Sequence, residues 1–366
     1  MAQLPTILIM AAGTGGHVFP ALAVARVLQE RGCNVVWLAS QRGMENQLLE
    51  DSGIEIFQVS VKGLQGKGLV RMITAPLMLI TSLMQSLSIL RRVRPACVLG
   101  MGGYISGPGG VAAKLLRIPL VLHEQNAVAG YTNKRLQGAA TRLLEAFPGT
   151  FPSVRKAVQT GNPLRQEITA LHNNAQRNYK ADRALRLLVL GGSQGAAAIN
   201  RVIPALIRRC QVGSKLHVWH QVGERDLLQA REDYQRLAIC EDEDIRVVPF
   251  IKDMAEAYRW ADIVICRSGA STVSELAAAS LPAILVPYPH HKDQQQFRNA
   301  QWLSDAGAAL LLPQHQLSED KLYESLVGIT SDSDRLAAMS SAAGQLAILD
   351  ADVLIADHCL EVARGC

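Results

Sequence analysis

Short runs that are apolar throughout alternate along the chain with segments whose apolar residues recur at helical spacing. Continuously apolar strands separated by helices are typical of parallel sheets that are covered by helices on both faces. Helices are predicted at 18–31, 196–210, 224–239 and 270–280. The predicted strands are 5–10, 34–39, 54–59, 96–99, 118–122, 141–145, 186–190, 216–220, 245–249, 262–266, 283–287 and 308–312.

The order strand, glycine-rich loop, helix occurs twice along the chain. The strand Thr6–Met10 leads into Gly13–Gly16, and the strand Arg186–Leu190 leads into Gly191–Gly195. The chain of 366 residues is long enough for about two domains. The repeat therefore predicts two Rossmann-like α/β domains in tandem, with a boundary at Gly161-Asn162-Pro163, where proline disfavours a helix.

One segment, 72–90, has no charged residue over 19 positions. Proline and six Ser, Thr or Gln residues argue against a transmembrane span, and the polar and apolar residues divide between two helical faces. The segment is predicted to be an amphipathic helix. Its apolar face could belong to the core or, with the basic residues around it, could form a membrane-surface patch. The patch residues would be Ile73, Leu77, Ile80, Arg91 and Arg92.

Charge is divided unevenly along the chain. Residues 1–160 hold 16 Lys and Arg against 7 Asp and Glu, whereas the remainder holds 21 against 25. A basic front half indicates an anionic partner, either acidic lipid or nucleic acid. Aromatic residues are only 5% and do not alternate with basic ones, which disfavours single-stranded nucleic acid. The seven cysteines form no CxxC pair, so the sequence predicts a reduced chain without a disulfide framework or a zinc site.

Both glycine loops place a helix N-terminus where backbone N–H groups could bind phosphate. Neither loop is a Walker A motif, and neither fits GxGxxG, so a P-loop NTPase and a nicotinamide dehydrogenase are disfavoured. A third glycine-rich loop, 100–110, also follows a strand and contains Gly102, Gly103 and Tyr104. Each loop taken alone could be a structural turn.

Two side chains near these loops could exchange protons. His17 stands at the start of the first helix, and Glu124 follows the strand 118–122, at the sheet edge where open α/β sheets bind ligands. As lone residues they could equally be a hydrogen-bonding histidine and a loop carboxylate. In the second half, Glu275 lies in an early turn of the helix 270–280, and polar amides occur at 294–296. These groups could bind sugar hydroxyls or simply be solvated.

Seven motifs in order make the chain resemble the MurG family of glycosyltransferases. One such motif would be weak evidence, but the ordered set is specific and spans nearly the whole sequence. The motifs are Gly13-Thr14-Gly15-Gly16-His17-Val18-Phe19-Pro20, Leu99-Gly100-Met101-Gly102-Gly103-Tyr104, His123-Glu124-Gln125-Asn126, Gly161-Asn162-Pro163-Leu164-Arg165, Gly191-Gly192-Ser193-Gln194-Gly195-Ala196, Cys266-Arg267-Ser268-Gly269-Ala270 and His291-Lys292-Asp293-Gln294-Gln295-Gln296.

The resemblance implies a GT-B fold, with two Rossmann-like domains whose parallel sheets face across a cleft. It implies an acceptor-binding, membrane-associating domain at 1–163, a UDP-GlcNAc-binding domain at 164–345 and a C-terminal helix at 346–366 that packs back on the first domain. The implied reaction is an inverting transfer of GlcNAc from UDP-GlcNAc to the C4 hydroxyl of MurNAc in lipid I, giving lipid II and UDP in peptidoglycan synthesis. No cofactor and no metal ion are implied.

Site residues follow from the resemblance motif by motif. His17 is favoured as the catalytic base, with Glu124 second, and Gly102, Gly103 and Tyr104 would meet the acceptor's diphosphate. Which of two adjacent glutamines contacts the donor sugar stays open. The implied donor contacts are Thr14, Gly15, Gly16, Asn126, Arg165, Ser193, Ile251, Ala270, Ser271, Thr272, Val273, Ser274, Glu275, Gln295 and Gln296.

The same resemblance implies peripheral attachment to the cytoplasmic face of the bacterial inner membrane, through its anionic surface, and association with other cell-wall enzymes involved in cell shape and division. No nucleic acid partner is expected. Two rival functions remain open at this point. A UDP-GlcNAc 2-epimerase would share the donor site but act on the donor alone, and a degenerate binding protein would bind the nucleotide sugar without turnover.

Overall fold

The computed structural model describes residues 5–13, 15–41, 43–60, 69–151, 157–172, 179, 183–192, 196–211, 216–291 and 293–365, with the backbone alone for 69–75. Within these residues the chain forms two compact units. Unit 1 comprises Met1–Leu164 and Leu349–Cys366, and unit 2 comprises Arg165–Ile348.

Unit 1 is built on a parallel seven-stranded sheet, sheet A, in the order β3-β2-β1-β4-β5-β6-β7. The chain enters the sheet at β1, in its interior, continues outwards to the edge strand β3 and then returns to β4 to build the other half, so the sheet is doubly wound. Its strands are β1 (Thr6–Met10), β2 (Asn34–Ser40), β3 (Glu55–Val59), β4 (Cys97–Gly100), β5 (Leu120–Glu124), β6 (Arg142–Glu145) and β7 (Val158–Gln159).

Unit 2 repeats this topology in a parallel six-stranded sheet, sheet B, in the order β10-β9-β8-β11-β12-β13. The prediction of two parallel α/β domains is therefore confirmed. The strands are β8 (Leu185–Leu190), β9 (Leu216–Gln221), β10 (Ile245–Val248), β11 (Ile263–Cys266), β12 (Ala283–Leu285) and β13 (Ala309–Leu311).

Helices cover both sheets. Those of unit 1 are α1 (Gly15–Glu30), α2 (Glu45–Leu48), α3 (Leu69–Val93), α4 (Ser106–Leu115), α5 (Tyr131–Leu136) and α14 (Ala351–Arg364). Those of unit 2 are α6 (Gln166–Thr169), α7 (Ala197–Cys210), α8 (Leu227–Arg236), α9 (Met254–Trp260), α10 (Ala270–Ala278), α11 (Gln295–Asp305), α12 (Glu319–Thr330) and α13 (Ser333–Gln345).

Each unit has its own hydrophobic core. The core on one face of sheet A is shared by α1 and by α14, which contributes Ile355, Cys359 and Leu360 from the far end of the sequence. The helix α14 packs on α1 and beneath β4, β5 and β6. The core of unit 2 surrounds β8 and β11 and is drawn from residues between Leu187 and Met339. Because helices cover both faces of each sheet, the side chains on both sides of a strand are buried, and the strands are therefore apolar throughout.

The helix α3 forms as predicted and buries polar as well as apolar side chains. Ser82 and Ser86 are fully buried, and their hydroxyls donate to backbone carbonyls of their own helix (3.0 and 2.8 Å). Leu87 and Leu90, near the C-terminal end, belong to the core. The apolar face is thus core at Leu87 and Leu90 and exposed at Leu77, Ile80 and Met84.

Candidate active site

The first glycine loop joins β1 to α1 at the carboxyl end of sheet A. Gly13 has a φ of +106°, a conformation that strongly favours glycine, and α1 begins at Gly15. A Cβ on Gly15 would lie 2.9 Å from the Phe19 ring, so the backbone packs tightly there. Gly16 is exposed, and its backbone is open to a ligand. Thr14, a predicted donor contact, lies outside the described residues.

The glycine-rich loop after β4 packs directly on the first loop. The Met101 N–H donates to the Met10 carbonyl (2.9 Å), which continues the sheet by one residue. Gly103 has a φ of +82°, and a Cβ there would lie 2.1 Å from the carbonyl oxygen of Ala12. Only glycine fits at this contact. Tyr104 follows with its side chain exposed. The structure therefore brings these two loops of unit 1 together.

His17 lies between these two loops. A Cβ on Gly102 would be 2.6 Å from the imidazole Cδ2 and 2.9 Å from Nε2, so the ring edge lies along the Gly102 backbone. The Nδ1 atom is enclosed, and no described residue hydrogen-bonds it. Burial lowers the pKa of His17 below 6.5, although the negative charge of Glu124 opposes the shift. The imidazole is therefore neutral at pH 7, the form in which it can accept a proton.

Glu124 is held by four donors. Its Oε1 accepts from the backbone N–H of Asn126 (3.1 Å) and from that residue's side-chain amide (3.3 Å). Its Oε2 accepts from the Gly130 N–H and from the Asn133 amide, both at 2.9 Å. A carboxylate has about four acceptor sites, so these bonds fill them. The buried Glu124 thus organises the loop that presents Asn126 and is less suited than His17 to act as a base.

The second glycine loop, in unit 2, is fixed by a neighbouring strand. Gly192 has a φ of +74°. The Gln221 side chain, at the end of β9, accepts from the Gly192 N–H (2.9 Å) and donates to the Gly192 carbonyl (3.1 Å). It also donates to the Pro249 carbonyl (2.9 Å), which ties the loop to the segment after β10. Ser193, a predicted phosphate contact, lies outside the described residues.

The helix α10 begins without a side-chain cap among the described residues. It follows Gly269, which is extended. The N–H groups of Ala270, Ser271 and Thr272 precede the first intrahelical hydrogen bond, and the helix dipole adds positive potential there. Val273 differs from these three, because its side chain is fully buried and its N–H donates to the Gly269 carbonyl (2.9 Å). An anion at this end would therefore meet the first three amides.

Glu275 lies one turn into α10 with its side chain 17% exposed. Its Oε2 accepts from the Tyr258 hydroxyl (2.8 Å), and its Oε1 faces the Arg165 guanidinium at 3.7 Å. Burial raises the pKa of Glu275, while Tyr258 and Arg165 lower it. The Ser274 hydroxyl donates to the helix backbone one turn earlier (3.1 Å). The predicted pair Arg165 and Glu275 is thus brought together in unit 2.

The segment between β10 and α9 carries Ile251, a donor contact that the resemblance implies for the uracil base. Ile251 is buried, and the adjacent Phe250 exposes 59% of its surface. The carboxylate of Asp253 accepts from the Glu256 N–H (2.9 Å) and so caps α9. A flat apolar surface beside a fixed backbone is suited to a planar base.

The two candidate sugar contacts differ in their surroundings. The side-chain carbonyl of Gln296 accepts from the Tyr288 N–H (2.9 Å), and its backbone carbonyl accepts from the Ser268 hydroxyl (2.7 Å). Gln295 is the first residue of α11 and is half-buried. Arg267 donates to two backbone carbonyls just after β12, at 2.9 and 3.2 Å, which fixes the loop before α11. Both glutamines remain candidates.

The N-terminal part of α3 and the neighbouring helix α4 expose an apolar surface. We call it the apolar patch, and its exposed members are Leu77, Leu79, Ile80, Met84, Val111 and Leu115. Leu77 is 68% exposed and Ile80 59%. Arg91 and Arg92 follow at the C-terminal end of α3, both exposed. The side chain of Ile73, a predicted patch residue, lies outside the described part of the chain.

Two protein-family models match the chain, one in each half. Residues 7–145 match the glycosyltransferase family 28 N-terminal domain, and residues 186–355 match the family 28 C-terminal domain. The crystal structure of Acinetobacter baumannii MurG matches with a TM-score of 0.84 and 39% identity, over 98% of this chain and 99% of that one. The chain belongs to the MurG family of glycosyltransferases.

Curated members of this family are similar along their whole length. A UDP-N-acetylglucosamine--N-acetylmuramyl-(pentapeptide) pyrophosphoryl-undecaprenol N-acetylglucosamine transferase of Stutzerimonas stutzeri is 49% identical, over 98% of this chain and 99% of its own. The Shewanella piezotolerans enzyme of the same name is 48% identical, over 99% and 98%. The Neisseria meningitidis UDP-GlcNAc 2-epimerase shares the fold at 14% identity (TM-score 0.67, covering 97% of this chain and 99% of that one).

Two residues that hold the site together, Gln221 and Tyr258, lie outside every motif and act through contacts with residues that are distant in sequence. Arg267 lies within a family motif, but its contacts with the loop after β12 are not apparent from the sequence. Among the described residues, no group of three or more His, Cys, Asp or Glu side chains is placed to hold a metal ion. In the same part of the chain, no helix is long and apolar enough to cross a membrane.

Proposed function

We propose that the protein transfers GlcNAc from UDP-GlcNAc to the C4 hydroxyl of MurNAc in lipid I, giving lipid II and UDP. The observation that carries the proposal is near-full-length identity, 48–49%, to curated transferases of this name. By this reaction the protein takes part in peptidoglycan synthesis, and hence in cell shape and division.

The donor is proposed to bind unit 2. The first three amides of α10, together with Arg165, supply positive potential for the diphosphate. Glu275 would accept from the ribose hydroxyls, and the backbone at Ile251 would meet the uracil edge. Gln295 and Gln296 supply amides for the sugar. Ser193 keeps its proposed role at the phosphate on the family resemblance.

The acceptor is proposed to bind unit 1. Unit 1 holds 17 Lys and Arg against 11 Asp and Glu, whereas unit 2 holds 20 against 21, so unit 1 is the basic one. The loop with Gly102, Gly103 and Tyr104 supplies backbone donors and an exposed phenol for the lipid-linked diphosphate. Gly15, Gly16 and Asn126, in the same unit, would contact the transferred sugar.

Transfer is proposed to be a single displacement with inversion. The C4 oxygen forms a bond to the anomeric carbon as the bond from that carbon to the UDP oxygen breaks. His17 takes the hydroxyl proton, a contribution of typically 10²–10⁴-fold. The negative charge that develops on UDP is stabilised by the α10 amides and Arg165, so we propose that no divalent cation is needed.

We propose peripheral attachment to the cytoplasmic face of the inner membrane, because the acceptor is a lipid. The apolar patch would enter the interface, and Arg91 and Arg92 would meet anionic lipid at about 1 kcal/mol per well-placed charge. Leu77, Ile80 and Met84 of α3 and Leu115 of the neighbouring α4 are all exposed, and monomeric soluble proteins rarely leave large apolar surfaces uncovered. Association with other cell-wall enzymes at that surface is part of the same proposal.

The decisive experiment is a transfer assay with labelled UDP-GlcNAc, a lipid I analogue and EDTA. We expect the label in a lipid-extractable disaccharide in the presence of EDTA. Epimerised donor in the absence of acceptor would instead establish the epimerase, and binding without turnover would establish a binding protein. A transfer that EDTA abolishes and Mg²⁺ restores would overturn the metal-independent mechanism alone.

A further inference from the structure

The carboxylate of Glu275 has a buried partner that the proposed reaction does not use. Tyr258 is fully enclosed on α9, and its hydroxyl donates to Glu275 Oε2 at 2.8 Å. A buried phenol that donates to a carboxylate fixes the rotamer of that carboxylate and favours its charged form. Burial raises the pKa of Tyr258 well above 10, so its hydroxyl keeps its proton and remains a donor around neutral pH.

We propose that Tyr258 is a positioning residue that keeps Glu275 ionised and aimed at the donor ribose. This inference rests on the proposed role of Glu275 in donor binding. The Tyr258 bond occupies one lone pair of Oε2, so further sites on both oxygens remain for ribose hydroxyls. Tyr258 itself would not touch the donor.

The charged surroundings of Glu275 make its ionisation depend on this bond. Among the described residues, three titratable groups face it: Tyr258 from α9, Arg165 from the segment before α6, and Cys266 from the end of β11. Burial raises the pKa of the Cys266 thiol to about 12, so this thiol is neutral at the pH values of interest. Arg165 is 3.7 Å away and its side chain is 48% exposed, so solvent screens its charge. Tyr258 is the nearer and better-shielded partner.

Tyr258 also lies close in sequence to the residue proposed to contact the uracil base. The helix α9 begins three residues after Ile251, the proposed uracil contact, and its first turn is capped by Asp253. One short segment would thus fix both the base-binding backbone and the ribose-binding carboxylate. Such an arrangement sets the distance between base and ribose contacts before the donor arrives.

The test is UDP-GlcNAc binding as a function of pH, measured by calorimetry on the full chain with Tyr258→Phe. The phosphates of this diphosphate diester do not titrate near neutral pH, so a change in pH dependence reports the protein. Loss of the hydroxyl raises the pKa of Glu275, because the bond that favours its charged form is gone. We expect donor binding to weaken as the pH falls, beginning at a higher pH than in the parent protein. On the acid side the dissociation constant rises by about tenfold.

Two controls separate positioning from a merely structural role. Tyr234→Phe removes another buried hydroxyl in unit 2, one that contacts His220 at 3.0 Å, and should leave the pH dependence of binding unchanged. Glu275→Gln should weaken binding at all pH values and remove this acid-side dependence, and adding Tyr258→Phe to it should cost little more. Thermal unfolding confirms that each variant is folded.

A second change at position 258 keeps the hydroxyl and should shift the pH dependence in the opposite direction, which a general loss of protein stability would not do. Replacement of Tyr258 by 3-fluorotyrosine makes the phenol more acidic and its hydrogen bond stronger, so the acid-side loss of binding should move to lower pH. If Glu275→Gln weakens binding but both changes at 258 leave the pH dependence unaltered, the positioning role is wrong and the donor site stands. If Glu275→Gln has no effect on binding, the proposed ribose contact itself is wrong.

Discussion

At the scale of single residues, burial determines what His17 can do. Enclosing an imidazole disfavours its charged form, and the nearby Glu124 offsets this only in part. A neutral imidazole at neutral pH is available to take a proton from a sugar hydroxyl. The four donors to Glu124 make that carboxylate a weak competitor for the same proton.

This arrangement predicts that His17→Ala lowers kcat by about 10²–10⁴-fold with little change in UDP-GlcNAc affinity. Because the pKa of His17 is lowered, its base form persists below pH 6.5, and kcat at saturating donor should fall only on the acid side of that value. Single-turnover rates across pH measure both effects. Near-normal turnover by His17→Ala would remove this residue from the role of base.

A second prediction concerns the glycine that packs on the imidazole. Gly102→Ala places a Cβ 2.6 Å from His17 Cδ2 at a φ of +97°, so the ring must move. A displacement of about 1 Å can cost about 10²-fold in rate, and the strained backbone costs roughly 1–3 kcal/mol of stability. We expect kcat to fall and the unfolding midpoint to drop modestly.

The matched control is Gly138→Ala, in a helical turn of the same unit where a Cβ meets no atom within 4 Å. It should leave both the rate and the midpoint near those of the parent protein. If Gly102→Ala retains full kcat, the imidazole tolerates movement and its placement against the loop has no catalytic role. Adding Gly102→Ala to His17→Ala should reduce the rate little further, since the imidazole on which Gly102→Ala acts is already gone.

At the scale of elements, apolar runs predicted every strand except β7, because strands buried on both faces have a continuous hydrophobic signal. The exception, Val158–Gln159, has two residues, one half-buried and one exposed, so no run marks it. The helix α3 shows the opposite difficulty. Its periodicity predicted a helix correctly, but periodicity does not state which residues meet the protein, and the structure buries Ser82 and Ser86 as well as Leu87 and Leu90.

The sequence predicts those parts of the site that depend on local backbone conformation. It does not predict those that depend on contacts between separate helices and strands. Loops after parallel strands carry a glycine signal, since positive φ and close approach require glycine. Tyr258 carries none, because its role arises only when α9 packs near α10 and brings its hydroxyl to Glu275, 17 residues away. The assigned contacts of these loops with substrate remain predictions.

If the apolar patch contacts lipid as proposed, charges placed on it should weaken attachment to a bilayer. The double change Leu77→Glu and Ile80→Glu replaces two exposed apolar side chains with charges, which removes their insertion and repels anionic lipid. We expect a loss of sedimentation with phosphatidylglycerol vesicles of about tenfold or more, with transfer to a soluble acceptor analogue retained. Arg91→Glu with Arg92→Glu should weaken binding mainly at low salt.

Leu228→Glu serves as the control for that experiment. This leucine is 77% exposed and lies on α8 of unit 2. Its replacement also exchanges an exposed apolar side chain for a charge, but outside the apolar patch. Vesicle binding should be unaffected. Equal binding by the Leu77 and Ile80 variant and the parent protein would show that the apolar patch is not the membrane contact.

At the scale of the whole molecule, the two units differ in how the chain completes their cores. Unit 2 draws its core from one continuous stretch, whereas the core of unit 1 needs α14 from the far end of the chain. The buried Ile355, Leu360 and Val362 of α14 are worth about 1.5–3 kcal/mol each. Their sum is comparable with the entire net stability of a typical domain, about 5–15 kcal/mol.

Two fragments should therefore behave differently. Residues 165–348 expressed alone should unfold cooperatively on heating, because every residue of that core is present. They should also bind UDP-GlcNAc, since Arg165, Tyr258 and Glu275 all lie within them. Residues 1–164 without α14 should show no cooperative transition, and adding a peptide of residues 349–366 should restore one. A cooperative transition of 1–164 alone would show that α14 is dispensable, and a molten 165–348 fragment would show that unit 2 depends on the rest of the chain.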